Sequence, residues 1–188
     1  VNFTGDVSGT EFSWVNNSPS IGLAASGTGN IDAFLATNAT NAPVVATITV
    51  TPSANNCTGS STSFTITVNP TSTVNHVDDA AYCNGETTDE IIFGSPVSGA
   101  TFAWTNDNTE LGLTANGTGN LPSFTATNTG TAPISGIISV TPSANSCTGT
   151  PISFTITVNP TPNVVDPSDQ VVCNGAAVTA VTFSGAVA

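Results

Sequence analysis

Ile152-Ser153-Phe154-Thr155-Ile156-Thr157-Val158-Asn159-Pro160 is the stretch that decides the fold. Ile152, Phe154, Ile156 and Val158 alternate with Ser153, Thr155 and Thr157, and a period of two puts the first set on one face of a β-strand and the second on the other. Such alternation marks a strand with one face buried and one in water. The same run stands earlier as Ser63-Phe64-Thr65-Ile66-Thr67-Val68-Asn69-Pro70, a spacing of 153 − 63 = 90 positions. Working outward, Thr51-Pro52-Ser53-Ala54-Asn55 returns as Thr141-Pro142-Ser143-Ala144-Asn145, and Val1–Ser98 corresponds without a gap to Ile91–Ala188. Self-similarity at a fixed period marks a tandem array, one folding unit copied for length or valency.

Val1-Asn2-Phe3, Ile91-Ile92-Phe93 and Val181-Thr182-Phe183 align as the same strand, so the chain reads as a window from a longer array. The expected division is residues 1–70, a copy without its first strand; 71–160, a complete copy; and 161–188, the start of a third. The joints Asn69-Pro70-Thr71-Ser72-Thr73-Val74 and Asn159-Pro160-Thr161-Pro162-Asn163-Val164 carry prolines, which fix φ and restrict the preceding residue. Short, stiff, extended connections are expected there.

The chain has no Lys or Arg against twelve Asp and Glu, a formal charge of −12, while 38% of its residues are hydrophobic. That is enough apolar material for cores, unlike the composition of a disordered chain. High Thr, Ser, Asn, Gly and Val point to a β-rich surface protein. Nucleic acid is excluded as a partner because phosphate neutralisation needs cations, and direct attraction to anionic membranes fails for the same reason. No segment approaches the roughly 20 apolar residues of a membrane-spanning helix. Absence of Lys and Arg also leaves no site for trypsin-like proteases, so resistance to them is expected.

Within the complete copy, Glu90-Ile91-Ile92-Phe93 is expected to be a first core strand. In Thr101-Phe102-Ala103-Trp104 the two rings share a face, and their size sends it inward. Ala115-Asn116-Gly117-Thr118-Gly119-Asn120 is expected to be a turn. A phosphate-cradling reading of its G-x-G would need a following helix, whereas Pro122 and the β-like Phe124-Thr125-Ala126-Thr127 come next. Ile134–Val140 and Ile152–Val158 complete the strands, and the expected core is Phe93, Phe102, Trp104, Phe124 and Phe154. Six or seven short strands in about ninety residues, with a Trp on the second core strand, fit an all-β, immunoglobulin-like sandwich.

Val172-Cys173-Asn174-Gly175, Phe102-x-Trp104, Gly117-Thr118-Gly119-Asn120, Ser123 to Asn128, and Cys147-Thr148-Gly149-Thr150 running on to Pro160 occur in order over essentially the whole chain. In this combination the sequence resembles the PKD-like, immunoglobulin-like repeats of very large secreted surface proteins of Bacteroidota, including gliding-motility adhesins and other type IX secretion substrates. The resemblance implies extracellular, cell-surface stalk or adhesin repeats and carries over no catalytic residue. The cysteine motif of the first core strand reads Tyr82-Cys83-Asn84-Gly85 here, a slight departure.

Four cysteines permit three pairings by sequence alone. In a unit of the kind the resemblance implies, the chain begins at one pole and the loop between the last two strands lies at that same pole, so Cys83 is expected to bond Cys147. Thr58–Pro70 separates Cys57 from the end of its copy by roughly 40 Å if extended, too far for a bridge to Cys83. Cys57 and Cys173 are therefore expected to pair outside this window. A metal site lacks C-x-x-C spacing, and a thiolate nucleophile lacks a nearby cation.

Asp78, Asp79 and Asp169, with Asp166, are the weak candidates for calcium between copies, since carboxylate oxygens are the right hard ligands; the alternative is solubilising charge. His76 has Asp166 as its counterpart, so the position is exchangeable and reads as a solvated joint residue. An enzyme reading would rest on Asp107 or Glu110, and acidic residues mostly fail to recur between copies. Asn38-Ala39-Thr40 and Asn116-Gly117-Thr118 are glycosylation sequons that arise easily in such a chain. The expected function is non-enzymatic: stalk repeats giving length, stiffness and protease resistance. The alternative is a multivalent module binding carbohydrate or a surface, for which Tyr82 is the evident sugar-stacking residue. Expected partners are neighbouring repeats, with lateral copies in a filament and polysaccharide as further candidates.

Overall fold

The computed structural model describes residues 1–186. Strands β1 (Glu11–Asn16), β2 (Ser26–Thr28), β3 (Val44–Ala54), β4 (Cys57–Thr58) and β5 (Thr62–Val68) form a five-stranded sheet in which β3 pairs antiparallel with β1, β4 and β5. A six-stranded sheet follows, made of β6 (Ala80–Cys83), β7 (Thr101–Asn106), β8 (Asn116–Thr118), β9 (Ile134–Ala144), β10 (Cys147–Thr148) and β11 (Ile152–Asn159). Here β9 is central between β7 and β11, and β6 lies on the far side of β11. The all-β reading holds, and the alternation in Ile152–Val158 becomes β11 itself, with Phe154, Ile156 and Val158 buried.

Each sheet has its own core. In the six-stranded one, Phe93, Trp104 and Phe154 are buried, and Phe102 and Phe124 pack partly buried against them. Phe93 stands 5.8 Å from Phe102 and 6.4 Å from Phe154, ring centre to ring centre, within the range where tilted aromatic pairs attract. In the five-stranded one, the buried residues include Trp14, Ile21, Ile48 and Val50, with Phe3, Phe12 and Phe64 against them.

Two local expectations are corrected. Glu90–Phe93 and Phe124–Thr127 are extended but not regular strands: the first is held by the isolated bridge Ile91–Leu121, and the second by the bridge Thr87–Thr125 with backbone bonds to Gly85, Glu86 and Thr88. The Phe124 N–H donates to the Thr88 hydroxyl at 3.0 Å, a side-chain partner that interrupts the backbone ladder. Gly117 belongs to β8, not to a turn, because without a Cβ it lets the Trp104 indole lie over its backbone; the turn proper falls at Gly119, where φ is +77°. Finally, the cysteine motif that was expected on a first core strand does lie on one, Ala80–Cys83, although no alternation marks its bounds. It pairs parallel with β11, Ala80 opposite Ile156 and Cys83 opposite Asn159.

Candidate functional site

The Asp107 carboxylate accepts the Ile137 N–H at 2.7 Å, and Glu110 is the middle residue of a short 3-10 turn, Thr109–Leu111, whose cap Asn108 accepts the Glu110 N–H. His76 and Asp78 are exposed and pair at 2.9 Å. Asp79 accepts the Thr155 N–H at 2.6 Å, which ties the start of β6 to β11, and Asp169 is exposed. Among the described residues no three His, Cys, Asp or Glu side chains gather as metal ligands. Tyr82 is partly buried against the core. Of the sequons, Asn38 donates its amide to the carbonyls of Ala42 and Val68, both at 2.8 Å, and Asn116 lies in β8.

None of the four cysteines is disulfide-bonded, and the expected Cys83–Cys147 bond is corrected by the strand register. Cys83 lies opposite Asn159, where β11 ends, while Cys147 sits in the hairpin before β11 begins at Ile152. The length of β11 intervenes, about 23 Å at 3.3 Å per residue, against the roughly 5–7 Å between bridged Cα atoms. The expectation failed because Ala80–Cys83 is a strand that carries its cysteine away from the pole where the copy begins.

The structure instead builds a site at that pole. A two-residue hairpin joins β9 to β10 through Asn145 and Ser146, with φ of 50° and 64°; Asn55 and Asn56 do the same between β3 and β4 at 51° and 61°. Positive φ at both central residues gives the turn whose twist suits paired strands, and Asn adopts it readily. Beside the first hairpin lies an open cleft of about 480 Å³, lined by Asp6, Val7, Pro52, Ala54, Cys57 and Gly59 among others.

The positions 90 residues later are covered. Val97 is 3% exposed where Val7 is 55% exposed; Pro142 and Ala144 are buried where Pro52 and Ala54 are half-buried. The covering residues are those that leave β5. Pro70 and Ser72 are fully buried, the Asn69 amide donates to the Asn145 carbonyl at 3.1 Å, and the Ser72 and Ser95 hydroxyls bond at 3.2 Å. Gly149 approaches so closely that a Cβ there would fall on the Ser72 carbonyl oxygen. These segments form one compact unit, Val1–Thr73 with Ser95–Ala100 and Pro142–Thr150, while Val74–Gly94, Thr101–Thr141 and the residues from Pro151 form the other. The cleft has proline, alanine and glycine walls and hydroxyl and carbonyl partners, which suits it to hold an extended Asn-Pro-Thr-Ser segment. Sequence reasoning saw the repeated Thr-Pro-Ser-Ala-Asn and Cys-Thr-Gly motifs only as a loop; two prolines and a glycine recurring at fixed positions were the available signal.

Two stretches of the chain, residues 1–72 and 80–162, match the family model described as the PKD-like domain. Among curated proteins none matches.

Proposed function

We propose, for a chain that belongs to the PKD-like domain family, that its copies are the structural stalk of a very large secreted cell-surface adhesin or filament, of the kind borne by gliding, type IX-secreting Bacteroidota. PKD-like domains are commonly extracellular structural or adhesive modules and are generally non-catalytic. No helix among the described residues is long and apolar enough to cross a membrane. One observation carries the stalk reading: the segment leaving β5 is seated and buried in the cleft beside the second hairpin, with Ser72 and Pro70 fully covered. A joint whose side chains are buried costs conformational freedom once, on folding, and thereafter holds length rather than flexing. Carboxylates without compensating cations keep such copies mutually repulsive and soluble, and the missing Lys and Arg deny trypsin-like proteases a site.

Electron cryo-microscopy of the parent assembly, together with a glycan array probed with this chain, tests the proposal. Beads at a constant repeat and a flat array are expected. Specific glycan binding by the copies would transfer the function to a multivalent carbohydrate-binding module, and repeated contacts between neighbouring chains would make the copies the building material of a fibre.

A further inference from the structure

We propose that Cys147 forms a disulfide with the preceding copy: its partner is the cysteine 90 positions before Cys83, and Cys83 in turn pairs with the cysteine 90 positions after Cys147. The inference rests on reading the cleft as the seat of the preceding copy. Its first support is register. Cys83 ends β6 directly opposite Asn159, and the next residue, Asn84, donates its N–H to the Asn159 carbonyl at 2.8 Å. The cysteine that ends a first strand thus lies beside the last residue of β11 in its own copy. Ninety positions earlier the counterpart of Asn159 is Asn69, and the Asn69 side chain donates to the carbonyl of Asn145, two residues from Cys147 on the same hairpin. Transferring the Asn159–Cys83 register onto Asn69 therefore brings the strand-ending cysteine to the hairpin of Cys147.

Burial points the same way. Cys147 is half-buried where its hairpin is seated against Asn69–Thr73, whereas Cys57, its counterpart on the open hairpin, is exposed. The pairing also accounts for both cysteine positions in every copy, since each copy offers one thiol at the hairpin and one at the end of β6. Bond formation joins the two sulfurs and releases two protons. The two electrons pass to a disulfide oxidant, glutathione disulfide or the active disulfide of a thiol oxidoreductase, which is reduced to two thiols.

The test lengthens the whole chain at its N-terminus by a second copy of Thr71–Glu90, which restores the first strand and keeps the 90-residue spacing. After oxidation with glutathione disulfide, cleavage at Asp and Glu separates the cysteines for mass spectrometry. The expected product is the added cysteine linked to Cys147, two hydrogens lighter, with Cys57, Cys83 and Cys173 free to alkylate; Cys147→Ser leaves the added cysteine free. A link to Cys57, an intermolecular link, or no link overturns the proposal. Hydrogen exchange of the Asn69–Thr73 amides under reducing conditions reads the seat separately. Protection without a bond overturns the disulfide alone, and loss of protection overturns the seat.

Discussion

Trp104 and Gly117 work as a pair, as do Trp14 and Gly27: in each, the ring of a strand tryptophan lies over a glycine of the neighbouring strand, and a Cβ on the glycine would collide with the ring. Gly117→Ala is therefore expected to destabilise the protein by about 1–3 kcal/mol, the usual cost of overpacking a filled core, as measured by urea unfolding. No change would mean that the indole can move aside. The aromatic half of the pair was legible from alternation in Phe102-Ala103-Trp104; the glycine half was not, because a glycine beside glycines looks like a turn until its partner strand is known. Asn128 was equally hidden. Its side chain donates to Ala132 and Val158 at 2.9 and 2.8 Å and accepts from Gly130 at 2.9 Å, so it is buried at 3% exposure as a connector between loop and strand. Nothing local distinguishes it from the many exposed asparagines of this sequence.

β6 shows where pattern ended and tertiary structure began at the level of elements. β11 was readable because apolar and polar residues alternate along it, and β7 because aromatic and small residues alternate over Thr101–Trp104; Ala-Ala-Tyr-Cys has no such contrast, and its partner is 70 and more residues away. Tyr82 is the residue of β6 that packs on the core. Burial, and then the Asp89 and Glu86 carboxylates, hold its phenol above the usual value of 10. A group whose folded pKa is raised stabilises the fold fully below its unfolded pKa and loses that contribution as pH rises through the folded one. Stability is thus expected to fall as pH rises above about 10, and Tyr82→Phe is expected to remove that part of the decline. Thermal unfolding across this range checks it, with the phenolate followed by its absorbance; equal slopes for the two proteins would refute the assignment.

For the whole molecule, the tandem period and the all-β class were plain in the sequence, because they rest on residues repeated at constant spacing. The cleft and the cysteine partners were not, since they depend on which end of the sheet each loop occupies. The two copies supply their own control. Gly149→Ala places a methyl group on the Ser72 carbonyl, whereas Gly59→Ala meets Pro52, its ring at 3.1 Å and its carbonyl oxygen at 3.7 Å. The first is expected to raise hydrogen exchange across Asn69–Thr73 and cost about 1–3 kcal/mol; the second is expected to stay within about 0.5 kcal/mol. Equal effects would show that the covered cleft is not what Gly149 serves. The parallel pairing of β6 with β11 reaches further. The chain arrives at Ala80, opposite Ile156, and departs at Asn159, opposite Cys83. Tension drawn along the chain therefore drags two neighbouring strands past each other in opposite directions. Their hydrogen bonds are loaded in shear, all together, and none can be unzipped ahead of the rest.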